Sequence, residues 1–163
     1  MRKIPRLIAR VLGMMALLAA LLAMLSPWLL YEIGLSRFDA MPARPAQMAT
    51  AEQQAWVWRL ARGSGMPTVA PMNPYGYVLR LLAGDGRAQP GETIAYWVAR
   101  EHNWRQPSRR SMAWWHLSNA ALAIWLTRHW SAEDIASAAY AAQWPRRRPL
   151  DVSPPPASAS PAR

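Results

Sequence analysis

The chain has 163 residues, a formal net charge of +10 at pH 7, and 10 tryptophans against a single phenylalanine. It contains no cysteine, which excludes disulfides, thiolate metal sites and cysteine nucleophiles. Its basicity, with a pI near 11.3, favours anionic partners such as phospholipid head groups, nucleic acid or acidic wall polymers.

The first ten residues carry Arg2, Lys3, Arg6 and Arg10, and an uncharged apolar run follows over 11–31, from Val11 to Tyr31. A helix needs roughly 20 apolar residues, at about 1.5 Å rise each, to cross a bilayer core. Secretory signals have shorter apolar regions, about 7–15 residues, ending at a small-residue cleavage site. This run continues instead into Ser26-Pro27-Trp28-Leu29-Leu30-Tyr31, where Trp28 and Tyr31 suit an interfacial aromatic belt. An uncleaved transmembrane helix is the expectation, with water satisfying the carbonyl that Pro27 frees. Only Arg37 and Arg44 follow the span closely, so the basic N-terminus belongs in the cytoplasm and the main domain outside. In a bacterium that domain is periplasmic and held on the inner membrane. This placement, with no nucleic-acid-binding signature, argues against nucleic acid as a partner.

Residues 32–49 read as a tether, broken by Pro42 and Pro45, that lifts the following domain clear of the head groups. Over 50–144 the patterning predicts a small, compact, all-α domain of about five helices. Thr50-Ala-Glu-Gln53 is a capping box; Trp56, Val57 and Leu60 form the apolar face, and Gly63 is the stop. Asn73-Pro74 caps a second helix with Tyr75, Val78, Leu79 and Leu82 at helical spacing, ended by Gly84-Asp85-Gly86. Pro90-Gly-Glu-Thr93 starts a third, with Ile94, Trp97 and Val98 on one face, running to about Glu101. A loop over 103–108 precedes the longest soluble helix, 109–129, which is apolar nearly all round and reads as the central one. Ser131 and Asp134 cap a final helix carrying Ile135, Ala138 and Ala139 inward until Pro145. The Pro-, Ala- and Arg-rich segment 145–163 reads as a disordered tail.

Few side chains present themselves as a site. Glu52, Glu133 and Asp134 sit in first helical turns, where the helix dipole explains them, and Asp85 lies in a turn. Glu101 ends an apolar helix directly before His102-Asn103-Trp104, and a carboxyl beside aromatic groups suits general-acid catalysis of glycosidic chemistry. The competing reading pairs it with Arg100 or Arg105 at the helix end. Trp104, Arg105 and Trp114 around it are the candidate binding residues. His102, His116 and His129 lack metal-ligand spacing, so no metal and no cofactor is implied. His116 reads as a hydrogen-bonded core histidine and His129 as a cation at a helix C-terminus. Adjacent tryptophans such as Trp56/Trp58 or Trp114/Trp115 point about 100° apart on a helix and form no flat sugar-stacking platform.

The stretch from Trp115 to Ile135 resembles the late helix pair of membrane-anchored peptidoglycan glycosyltransferases of the lysozyme-like superfamily. There an Ala/Leu-rich helix ends in Arg and Ser-x-x-x-Ile starts the next. The resemblance implies kinship with enzymes that follow an N-terminal anchor. Their motifs Glu-Asp-x-x-Phe-x-x-His and Gly-Ser-Thr-x-x-Gln-Gln are absent, and Glu101-His102 with Trp104 is an eroded echo of the first. Kinship would therefore make this a reduced or non-catalytic relative. The leading expectation is a single-pass protein whose periplasmic helical domain binds or scaffolds in the cell envelope, with an envelope protein or peptidoglycan as partner. The alternative is a membrane-anchored, peptidoglycan-active enzyme using Glu101 as general acid.

Overall fold

A computed structural model describes residues 3–84, 87–105 and 111–143, and among these the chain is all-helical without a strand. Six helices follow in order: α1 Lys3–Leu35, α2 Ala51–Leu60, α3 Pro74–Leu82, α4 Pro90–Trp104, α5 Met112–His129 and α6 Ala132–Ala141. Within α1 the stretch Arg10–Leu35, 26 residues holding an 18-residue window of mean hydropathy 2.0, is long and apolar enough to cross a bilayer. The remaining five helices form a small helical domain.

The helix passes straight through Pro27. Proline has no N–H for the carbonyl four residues back. Here the Ser26 hydroxyl donates to that Ala23 carbonyl at 3.0 Å, so the satisfaction comes from the helix itself. One residue on, the Met24 carbonyl accepts from the Tyr75 hydroxyl of α3.

The tether expected over 32–49 does not stand clear of the domain. Helix α1 continues to Leu35, and Tyr31 and Leu35 are buried with Ala121, Ile124 and Met72. Burial of a leucine such as Leu35 contributes about 1.5–3 kcal/mol relative to exposure. A Cβ placed on Gly34 would lie 2.5 Å from the Ala121 Cβ and 3.0 Å from the Leu117 carbonyl oxygen, so glycine sets the closeness of α1 to α5. Beyond the helix, Phe38 enters the main core and the Ala40 carbonyl lies 3.2 Å from His102 Nε2. Arg44 donates to the His129 carbonyl at 2.8 Å, and the Ala49 N–H donates to Ser137 Oγ at 3.0 Å. The prolines keep the segment out of regular structure, but it is strapped down along its length.

Helix α5 is central, packing on α1, α4 and α6, and is buried on most sides from Ser118 to Thr127. The core joins its Leu122 and Leu126 to Val57, Ile94, Val98 and Ile135. The capping boxes of Thr50 and Gln53 and of Ser131 and Asp134 are both closed, and Asn73 Oδ1 accepts from the Tyr75 N–H at 2.9 Å.

The expected faces hold in part: Trp56 and Val57 on α2 pack on the core, and Tyr75 and Val78 on α3 are partly buried. On α2 Trp58 is buried with Val57 while Leu60 is exposed, and on α3 Leu79 and Leu82 point outward. The end of α2 is a Schellman turn in which Arg62 occupies the left-handed position at φ 64°. Gly63 follows it because the Trp58 indole lies where its Cβ would be. Helix α4 runs to Trp104, one turn past its expected end, and α5 starts at Met112. Asp85, the expected loop end, Pro145 and the expected tail lie outside the described residues.

Candidate functional site: a tryptophan and arginine face

Three contacts fix the direction of α5 against α1. Arg128 lies over the Trp28 ring, Gly34 meets Leu117 and Ala121, and Arg37 lies over the Trp114 ring. The two helices are therefore antiparallel, and the start of α5 is the end of the domain farthest from the apolar half of α1.

At that distal end α4 finishes and α5 begins. The Asn103 side-chain amide ties them, donating to the Trp115 carbonyl at 3.2 Å and to Asn119 Oδ1 at 3.0 Å. Glu101, Trp104 and Arg105 share the last turn of α4, and Trp114 stands on the first turn of α5 at the same end. Trp104 is 65% exposed, as is Met112 at 70%, while Trp114 is partly covered by the Arg37 guanidinium 4.4 Å from its ring centroid. Arg100 stands 5.8 Å over Trp115 in the same manner. Guanidinium groups over tryptophan faces are attracted by the ring quadrupole, each contact contributing about 0.5–1 kcal/mol near a surface. The surface is thus aromatic, basic and rigidly backed.

Of the expected site residues, Glu101 is the least free to act as an acid. Its Oε1 accepts from Arg105 Nε at 3.2 Å and its side chain is 14% exposed. The Arg105 pairing weighed from the sequence is the one observed. Beside it His102 is half-buried against Phe38, with ring centroids 5.5 Å apart. Burial holds its imidazole below the ordinary histidine range; the Ala40 carbonyl opposes this and the Arg105 charge adds to it.

The other tryptophans are spread through the molecule. Trp58 Nε1 donates to the Ser64 carbonyl, Trp56 meets Tyr140 edge-on, and Trp130 is in the core. His129 sits at the end of α5 as expected, its ring stacked on Trp125 at 4.6 Å. His116 departs from the core role expected of it: it is exposed, with its ring edge-on to Trp115 at 5.0 Å. In the sequence Arg37 reads only as a charge that sets topology. Nothing in its sequence neighbourhood marks a residue that reaches a tryptophan on another helix.

Two clefts lie apart from this face. One, of about 370 Å³, runs between α1, α3 and α5 and is lined by Pro27, Leu30, Val78, Leu81, His116 and Leu117 among others. The second, of about 320 Å³, adjoins it through Tyr77 and Leu81 and adds Arg80, Arg87 and Glu92, with Arg80 Nη1 donating to Glu92 Oε2 at 2.7 Å. Glu101 lines neither. Comparison with protein-family models, with curated proteins and with solved structures yields no match to this chain.

Proposed function

We propose that this is a single-pass bacterial inner-membrane protein with a cytoplasmic N-terminus and a periplasmic helical domain, and that it binds or scaffolds a partner in the cell envelope. The observation that carries the reading is the distal face: Trp104 and Met112 stand exposed beside Arg37 and Arg105, at the end of the domain turned away from the anchor. Tryptophan and arginine are the side chains that dominate binding energy at protein interfaces. An envelope protein presenting carboxylates around an apolar pocket fits this surface best.

The test is site-specific photocross-linking in cells. A photoreactive side chain at Trp104 or Met112 is expected to give a discrete adduct that Arg37→Glu abolishes, while one at Arg59 on α2 gives none. Equal patterns from all three positions would remove the binding face. The lack of cysteine makes topology simple to test: a single cysteine replacing Glu133 is expected to react with a membrane-impermeant maleimide from the periplasmic side, and protection from it would reverse the orientation. A peptidoglycan-active enzyme with Glu101 as general acid is the lesser reading, since the carboxylate is engaged by Arg105. Wild-type wall hydrolysis or polymerisation that Glu101→Gln abolishes would restore it.

A further inference from the structure

We infer that α3 is a second membrane contact: its outward face, with Leu79 and Leu82, enters the outer leaflet of the bilayer that α1 crosses, where acyl chains meet head groups. This rests on α1 being a membrane anchor. The exposed positions along α3 and its C-cap are Gly76, Leu79, Leu81, Leu82 and Ala83, and none carries a charge or a polar side chain. Leu79 is 65% exposed and Leu82 80%, on the same side of the helix as Gly76 and Ala83. The one charged residue of α3, Arg80, is instead partly buried and paired with Glu92 of α4. A helix on a water-facing surface turns its polar side chains outward. Helix α3 does the reverse.

Height says what covers this face. Met24, whose carbonyl accepts from the Tyr75 hydroxyl, lies one turn below Trp28 and inside the apolar run of α1. Just before α3, the Met72 N–H donates to Thr127 Oγ1 at 3.0 Å, next to the Arg128 that lies over Trp28. The later half of α3 is held low as well. Asn103 is fixed at the distal end by Trp115 and Asn119, and α4 descends from there along α5, so Glu92 lies about 16 Å below it. Gly91 beside Glu92 packs closely on Thr68 and Val69, in the chain that leads to Met72. Arg80 Nη1 donates to that Glu92 at 2.7 Å. Both halves of α3 are thus tied near the level of Trp28, the level an interfacial tryptophan takes. Leu25 and Leu29 of α1 are exposed at this level, so the same lipid that surrounds them meets α3. Helices that lie in the interface sink an apolar side about 5–10 Å toward the acyl chains, and the leucine face of α3 is such a side.

With no native cysteine, single cysteines can carry a nitrobenzoxadiazole probe in the full chain, reconstituted in phosphatidylglycerol and phosphatidylethanolamine vesicles. The quencher is a phospholipid with a nitroxide near the top of its acyl chain, present in both leaflets. Probes on Leu79→Cys and Leu82→Cys are expected to be quenched about threefold more than one on Ser111→Cys at the distal end. Adding Leu79→Asp is expected to cut the quenching of the Leu82→Cys probe about threefold, while a probe on Leu17→Cys within the span is unaffected. Quenching on α3 no greater than at Ser111 would overturn the inference, whether those probes stand in water, open to iodide, or are shielded from iodide and lipid alike by a second copy or another protein. A Leu17→Cys probe that lipid nitroxides at any depth leave unquenched would overturn the anchor itself. Both leucines are exposed, so either cysteine variant alone decides the matter without depending on the aspartate variant.

Discussion

Gly34 is where the membrane-crossing candidate and the soluble core are joined most closely, and replacing it tests whether they form one body. A Cβ at this position would sit 2.5 Å from the Ala121 Cβ, an atom fixed to the α5 backbone, and 3.0 Å from the Leu117 carbonyl oxygen. Neither neighbour has a rotamer that relieves the contact, so α1 and α5 must separate. Overpacking of this kind costs about 1–3 kcal/mol. Gly34→Ala also gains up to about 1 kcal/mol of helix propensity, less here because Gly34 lies in the last turn of α1. The net expectation is a loss of about 1–2 kcal/mol, read as a fall in thermal midpoint of roughly 4–8 °C per kcal/mol for a domain of this size. Ala121→Gly loses a buried methyl and propensity, about 2 kcal/mol together. In the double variant the methyl has moved from one helix to the other, so the two losses should not add; a favourable coupling of about 1 kcal/mol is expected, limited by the remaining Leu117 contact. The assay is tryptophan fluorescence during thermal unfolding of the full chain in detergent. Additivity within about 0.5 kcal/mol would show that the helices do not depend on this contact and would refute the argument.

Other perturbations have outcomes as definite. Arg62→Gly should stabilise by about 1 kcal/mol, since it relieves a left-handed residue at the end of α2, whereas Gly63→Ala should destabilise by about 1–3 kcal/mol by displacing the Trp58 indole; the two midpoints should move in opposite directions. Ser131→Ala removes the acceptor for the Asp134 N–H and should cost about 1 kcal/mol by the same thermal assay. His102 binds its proton less readily when folded than when unfolded, so its contribution is fully present above the ordinary histidine pKa and is lost as pH falls toward the lower folded value. The thermal midpoint should therefore drop between about pH 7.5 and about pH 5.5, and His102→Gln should flatten that part of the profile.

What the sequence reveals and what it hides divide along a physical line. Capping signals are local, and Thr50 with Gln53, Asn73 with Pro74, and Ser131 with Asp134 act as their spacing predicts. The apolar run of α1 and the all-apolar character of α5 are also legible, because each is a property of one segment. The rotation of α3 is not. Leu79 and Leu82 share a helical apolar stripe with Tyr75 and Val78, yet packing against α1 partly buries Tyr75, Tyr77 and Val78 and leaves both leucines exposed. The strap over 36–49 has no apolar period, yet Phe38, Arg44 and Ala49 each find a partner distant in sequence. At the distal face Glu101, Trp104 and Arg105 are close in sequence and could be grouped. Arg37 joins them only through the antiparallel register of α1 and α5.

That register also orders the molecule by height. From Arg128, over Trp28, to Trp114, under Arg37, α5 rises by about 21 Å. An apolar groove lined by Leu117, Ala121 and Ile124 runs along the middle of this rise, and the tryptophan and arginine face caps the upper end. On a flexible tether the face would sample many orientations, and each binding event would have to bear the cost of fixing one. Here Gly34 and the buried Tyr31 and Leu35 hold α1 against α5, and the strap through Phe38 and Arg44 ties down the chain that follows. The orientation is fixed before any partner arrives. The close contact at Gly34 is therefore what joins the membrane-crossing candidate α1 to the small core as one body, and if the proposed partner binds the distal face, loosening this contact should weaken its cross-linking from Trp104 even where the domain still folds.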